Sequence, residues 1–204
     1  MPKRVDHEER RRQIADALVR VAAAHGLHAA GMREVAAEAG VSVRLVQYYF
    51  ESKDRLFFYA YERLGEQLGE RIQARIRAAG SRPSVRDILE ATLYEGLPTD
   101  RASRDLHLVY TAYATLALTD RTLAAQAFTD GPDALENHLV GRLRAAQDAG
   151  EVPAGLDPAA EIAGLLAISA GLGTSVLVGQ RSAEAAGRVV TYHLDRIFGP
   201  KEGR

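Results

Sequence analysis

The sequence predicts an all-α fold of nine or ten helices, and three observations carry that expectation. Good helix formers, above all Ala, Leu, Arg and Glu, dominate the 204 residues. Apolar residues recur at spacings of three and four, and no six-residue run alternates apolar and polar with β-branched enrichment as a strand would. Gly, Pro and capping residues interrupt the pattern at regular intervals.

Each element follows from those signals. The first helix is expected from about His7 to His25, with Asp6 and Glu9 at capping-box spacing, Ile14, Leu18, Val21 and Ala22 on one face, and Gly26 as the stop. A second covers Met32 to Ala39 and breaks at Gly40. A third is capped by Ser42 and ends near Phe50. Ser52 caps a long fourth helix to about Ala79, striped by Leu56, Ala60, Leu64, Leu68, Ile72 and Ile76. Ser84 opens a helix to about Leu97, and another carries Leu106, Val109, Tyr110, Tyr113 and Leu116. A short one is expected over Thr122 to Phe128, before a break at Asp130-Gly131-Pro132. Asp133 and Glu136 box the next helix, to about Ala149. Asp157-Pro158 starts a helix to about Gly179, since Pro suits the first helical position. Ser182 starts the last, which ends at Phe198 before Gly199-Pro200.

Composition narrows the function classes. Hydrophobic residues at 47% exclude a globally disordered chain. The absence of Cys excludes a disulfide scaffold, a cysteine nucleophile and thiolate metal sites. Among the six His, none forms an i, i+4 zinc pair around a Glu, and no Gly-x-Ser-x-Gly elbow occurs, so no catalytic residue, metal or cofactor is expected. The start, Met1-Pro2-Lys3-Arg4, has no apolar signal region, and a cytoplasmic protein is expected. A net charge of −1 argues weakly against nucleic acid. The charge is divided, however: residues 1–55 carry 10 basic and 8 acidic side chains, residues 56–204 carry 16 and 19.

The chemistry is concentrated in the first fifty residues. Two short helices flanking Gly40 form a helix-turn-helix pattern, whose second helix enters the major groove of DNA. In that helix Val46 and Phe50, with Val41 before it, can face inward, which leaves Arg44, Gln47 and Tyr48 outward. Arg pairs bidentately with guanine and Gln with adenine. Lys53 and the free amides opening the fourth helix suit a backbone phosphate. The bland reading is a solvated Arg44, core tyrosines at 48 and 49, and a solvated basic run over Lys3, Arg4, Arg10, Arg11 and Arg12.

The stretch from about Arg11 to Leu64, and "MREVAAEAGVSVRLVQYYFESKDRLF" in particular, resembles the tetracycline-repressor (TetR) family of bacterial transcription regulators. The shared skeleton is Arg33, Val35-Ala36, Ala39-Gly40-Val41-Ser42, an aromatic at Tyr49 or Phe50, and Ser52-Lys53 with Leu56. The later "AGEVPAGLDPAAEIAGLL" and the Gly-rich helix that follows look loosely like the BetI-type C-terminal domain. The resemblance implies DNA contacts from Arg33, Ser42, Val43, Arg44, Leu45, Gln47, Tyr48, Tyr49 and Lys53. Two departures stand out: Gly31 and Met32 replace the usual Ser or Thr cap of helix two, and Gln47 replaces a frequent Tyr.

The rest of the chain reads as a helical ligand-binding and dimerisation domain over 51–204, behind a DNA-binding head over 1–50. Ile162 to Gln180 has no charge and many small residues, which suits a buried helix at a subunit interface, with a membrane span as the alternative. With Ala186, Val190, His193 and Ile197 on one face of the last helix, this pair suits a homodimeric four-helix bundle. Tyr94, His107, Tyr110, Thr111, Tyr113, Phe128 and Asn137 are candidate effector contacts, with core packing as the alternative. The expected function is a repressor that leaves a near-palindromic double-stranded DNA operator when an unknown small molecule binds. The rival is a helical binding protein or enzyme without DNA activity.

Overall fold

The computed structural model describes residues 3–118 and 130–201, and among these are nine α-helices, one 3-10 turn and no strand. In chain order the helices are α1 (Lys3–His25), α2 (Met32–Ala39), α3 (Val43–Phe50), α4 (Lys53–Ala78), α5 (Val85–Glu95), α6 (Arg101–Ala117), α7 (Asp130–Asp148), α8 (Pro158–Leu177) and α9 (Ala183–Phe198). The helix expected over Thr122 to Phe128 lies outside the described residues. Packing separates two compact units, one of residues 3–67 and 108–118, the other of residues 68–107 and 130–201. Helices α4 and α6 each supply a segment to both.

In the first unit α1 packs on α2, and α2 on α3. Their apolar stripes meet as the periodicity predicts: Ile14, Leu18, Val35, Ala36, Val46, Phe50, Leu56 and Ala60 are all buried. Gly40 ends α2 with φ +67, a left-handed conformation that suits Gly, and the Val41 N–H reaches back to the Ala36 carbonyl at 2.9 Å. This reversal sets the angle between α2 and α3. Gln13 and Arg20 add ties from α1 to α2, at 3.1 Å to the Ala39 carbonyl and 2.6 Å to Glu38.

In the second unit α5, α7, α8 and α9 enclose one core, which includes Leu89, Leu93, Leu139, Leu143, Ile162, Leu165, Val190 and Leu194. The caps expected at Ser84, Asp157 and Ser182 are formed. Ser84 and Asp87 make a capping box, Asp157 accepts from the Ala159 and Ala160 amides ahead of Pro158, and Ser182 accepts from Ala185. Arg86, buried near the start of α5, binds the Asp195 carboxylate and the Gly199 carbonyl at the end of α9. Glu95, also buried, is held by Arg71 at 2.6 Å and Arg75 at 2.8 Å. Arg71 also reaches Asp100 at 2.8 Å and, with the Ser103 amide, holds that carboxyl down to about 2.

Three expectations need correction. Helix α1 begins at Lys3, so Asp6 lies inside it rather than capping it. Helix α7 includes Asp130-Gly131-Pro132, so Asp133 and Glu136 lie inside it rather than boxing its start; a proline in the first turn lacks an N–H that would have no helical acceptor anyway. The Ala186, Val190 and Ile197 stripe of α9 is spent inside this unit's core, while His193 stays half-buried. On α8 the small residues Ala163, Gly164, Ala167, Ala170 and Gly171 are exposed, as is Tyr192 on α9. Among the described residues only α8 is long and apolar enough to cross a membrane, and 28% of its most apolar window is buried.

Candidate functional site

Helix α3 is fixed at three points. The Ser42 hydroxyl accepts the Leu45 amide at 3.2 Å, and Val46 and Phe50 are buried on its inner side. With those residues inward, helical geometry turns Arg44, Gln47 and Tyr48 out, and all three are exposed, Tyr48 to 69%. An exposed tyrosine of that degree is unusual for a group that burial would favour. Ser42 is exposed beside them, while Val43 and Leu45 are half-buried shoulders of the same helix. Tyr49 is also half-buried, its ring edge-on to His7 and Tyr48 at 5.7 and 5.3 Å between centroids.

Arg33 is exposed on α2, whose N-cap Gly31 offers no side-chain bond, as its lack of a hydroxyl implies. Lys53 opens α4 with its ammonium 4.8 Å from the Phe57 ring centre. Ser52 caps the same turn by accepting the Arg55 amide at 3.2 Å. No exposed acidic side chain stands among Ser42, Arg44, Gln47 and Tyr48 on α3 itself. This face offers donors and a phenol, and can hydrogen-bond base edges and phosphates.

The candidate effector residues separate into groups. Tyr110 and Tyr113 stack on Tyr61 of α4, at 5.9 and 5.0 Å between ring centres, and the Tyr61 and Tyr110 hydroxyls are hydrogen-bonded. Burial, then the neighbouring phenol, push the Tyr61 hydroxyl well above its ordinary pKa. Thr111 is half-buried on α6 beside Tyr110. Tyr94 is engaged elsewhere, its hydroxyl 3.1 Å from the Gly187 carbonyl and 3.2 Å from the Thr191 hydroxyl on α9. His107 is buried against α8 at Gly173 and bonds the Gly96 backbone. Asn137 is exposed on α7, and Phe128 lies outside the described residues. Among the described residues no cluster of His, Asp and Glu could hold a metal.

Two groups escaped the sequence reading. Tyr61 sits at a helical position that nothing local distinguishes from an exposed one. Gly173 has a packing role, its Cβ position being filled by the His107 ring; a glycine inside an apolar helix was the available signal.

Residues 14–60 match the bacterial regulatory proteins of the tetR family. Residues 85–199, more than half the chain, match the C-terminal domain of BetI-type transcriptional repressors. The chain belongs to the TetR family. Among its TetR-family relatives, the HTH-type transcriptional regulator PksA of Bacillus subtilis is 34% identical over 122 residues, which is 56% of each protein. The chain therefore spans little more than half the length of that curated relative. A TetR-family regulator structure from Rhodococcus sp. superposes with a TM-score of 0.84 at 24% identity, over 93% of this chain and 99% of that one. A transcriptional regulator from Saccharomonospora viridis in complex with choline does so with a TM-score of 0.80 at 24% identity, over 93% and 98%. At these identities the structures establish the TetR fold rather than a shared ligand.

Proposed function

We propose that this TetR-family chain is a ligand-responsive DNA-binding repressor that acts by binding and not by turnover. The observation that carries the reading is the outward, exposed set of Arg44, Gln47 and Tyr48 on a capped, core-anchored helix after a Gly turn. In this reading residues 1–50 are the DNA-binding head and 51–204 the regulatory body. Arg44 and Gln47 read bases, Tyr48, Ser42, Val43, Leu45 and Tyr49 complete the groove surface, and Arg33 and Lys53 hold phosphates.

The exposed small-residue face of α8 supports a homodimer in which a second copy covers it, keeping the protein cytoplasmic and α8 out of the membrane. Two heads about one DNA turn apart, ~34 Å, then call for a near-palindromic operator. Tyr110, Thr111 and Tyr113, with Tyr61, are the stronger effector group, because they join ring faces and hydroxyls on neighbouring helices. Tyr94 and His107 position helices; Asn137 has no partner role in this scheme. An effector lowers DNA affinity by the ratio of its affinities for the two conformers, typically ~1–3 kcal/mol. The test is salt-dependent binding to duplexes recovered by in vitro selection. Arg44→Ala with Gln47→Ala is expected to abolish sequence preference; equal affinities for wild type and variant at every salt concentration overturn the reading. Choline, held by the Saccharomonospora relative, is the first effector probe by calorimetry.

A further inference from the structure

Beside the outward face of α3 lies a groove of about 700 Å³ in the same unit, walled by Tyr48 and Tyr49 on one side and His7 and Arg11 of α1 on another. Glu8 of α1, Glu51 between α3 and α4, and Arg55 of α4 complete its lining, so two carboxylates stand beside two guanidinium groups. The groove is continuous with the base-reading surface, because Tyr48 belongs to both. Its walls are held in place. Arg11 lies over the Tyr59 ring at 4.5 Å and the Phe50 ring at 5.4 Å, and Tyr59 donates to Glu8 at 2.5 Å. Arg55 pairs with Glu51 at 3.0 Å, and both side chains are about two-thirds exposed.

We propose that this groove seats the sugar–phosphate backbone flanking the bases read by α3, with Arg55 leaving Glu51 to bind a phosphate. The proposal rests on the DNA-binding reading above. An exposed pair is worth ~0–1 kcal/mol, so exchange of its partner is easy. A phosphate accepts the planar guanidinium fork as well as a carboxylate does, and with greater charge. Tyr48 and Tyr49 supply ring surface for a sugar and hydroxyls for phosphate oxygens. A duplex lying against Arg44 and Gln47 has to continue past Tyr48, and the groove is what it meets there. In this arrangement Glu51 opposes binding. It releases Arg55 to DNA and remains as a nearby negative charge, which limits sequence-independent affinity.

The experiment is fluorescence anisotropy of the full chain with a selected duplex and a shuffled duplex of equal length, across a salt series. Arg55→Gln is expected to weaken both duplexes by a similar factor, roughly three- to tenfold, and to lower the salt slope by about one per head. Glu51→Gln is expected to tighten both. The double variant separates direct contact from unmasking of Glu51: it stays weaker than Glu51→Gln alone if Arg55 touches phosphate. Unchanged affinity and slope in Arg55→Gln and Glu51→Gln, with the Arg44→Ala, Gln47→Ala control still losing sequence preference, overturn the groove and leave the DNA reading standing. A wild-type chain without sequence preference overturns both. An effect of Arg55→Gln on the selected duplex alone makes Arg55 a base reader and also overturns the proposal.

Discussion

The imidazole of His107 occupies the space that a side chain at Gly173 would need. A Cβ built on Gly173 falls 2.2 Å from the His107 Cε1, and a second ring contact, with Nε2, is at 2.7 Å. Helix α6 therefore approaches α8 at Gly173, the one of its three glycines whose Cβ position is filled by a neighbouring side chain. The ring is held there by a hydrogen bond to the Gly96 backbone at the end of α5, and its Nε2 is buried without a partner among the described residues.

Gly173→Ala is expected to force α6 and α8 apart. Overpacking of this kind destabilises by ~1–3 kcal/mol. Gly141→Ala on α7 is the control: nothing lies within 4 Å of its Cβ position, and the helical propensity gain is ~1 kcal/mol. Thermal unfolding should move down for the first and up for the second. Equal shifts refute the packing argument.

Burial pushes the His107 pKa down, with the Gly96 hydrogen bond opposing in part. The unfolded chain takes up this proton near pH 6.5, the folded chain only at lower pH. The folded state thus binds fewer protons in that interval. Stability is expected to be level above neutrality, to fall as pH drops through 6.5, and to level again once the folded ring is charged. Urea midpoints across this range should show a shallower slope in His107→Gln. An unchanged slope assigns the dependence to other groups.

Glu95 is 6% exposed and lies between two arginines that are 30% and 43% exposed. Glu95→Gln keeps the shape and removes the charge that both guanidinium groups face. Because water reaches the arginines, the loss should be about 2 kcal/mol, below the full penalty for breaking a buried ion pair. Denaturant unfolding measures it; a loss within ±0.5 kcal/mol means that solvent already screens the pair.

Glu51 has φ +58 and ψ −49, and the Ser52 amide bonds back to the Phe50 carbonyl across it, forming a strained γ-turn between α3 and α4. Glycine adopts this conformation without the Cβ clash, at some entropic cost. Glu51→Gly is expected to stabilise by about 1 kcal/mol, raising the melting temperature by ~2–4 °C for a chain of this size. Glu51→Gln, which keeps the Cβ, should leave it unchanged. A lower melting temperature for Glu51→Gly contradicts strain at this turn.

The helices and their caps were legible because each rests on residues close in sequence. Ser42, Ser84, Asp157 and Ser182 cap where local spacing predicted. The outward set of Arg44, Gln47 and Tyr48 was legible too, since an eight-residue helix with two buried anchors fixes what faces out. The effector candidates were less so. Composition could gather Tyr94, His107 and Tyr110 as scarce aromatic and polar groups, yet their partners are Gly187, Gly173 and Tyr61, all more than 45 residues away.

The sequence by itself determined an all-α chain, the Gly40 reversal, the exposed face of α3 and the TetR-family resemblance, because periodicity, capping and turn chemistry act over a few residues. Only the tertiary structure decided that the apolar stripe of α9 is used within its own unit, while a small-residue face of α8 stays exposed. It alone placed Tyr61 with Tyr110 and Tyr113, buried Glu95 between two arginines, and set Arg55 in a groove beside Tyr48. These contacts depend on which helix faces reach each other after folding, and a helical repeat states which residues share a face without stating what that face will meet.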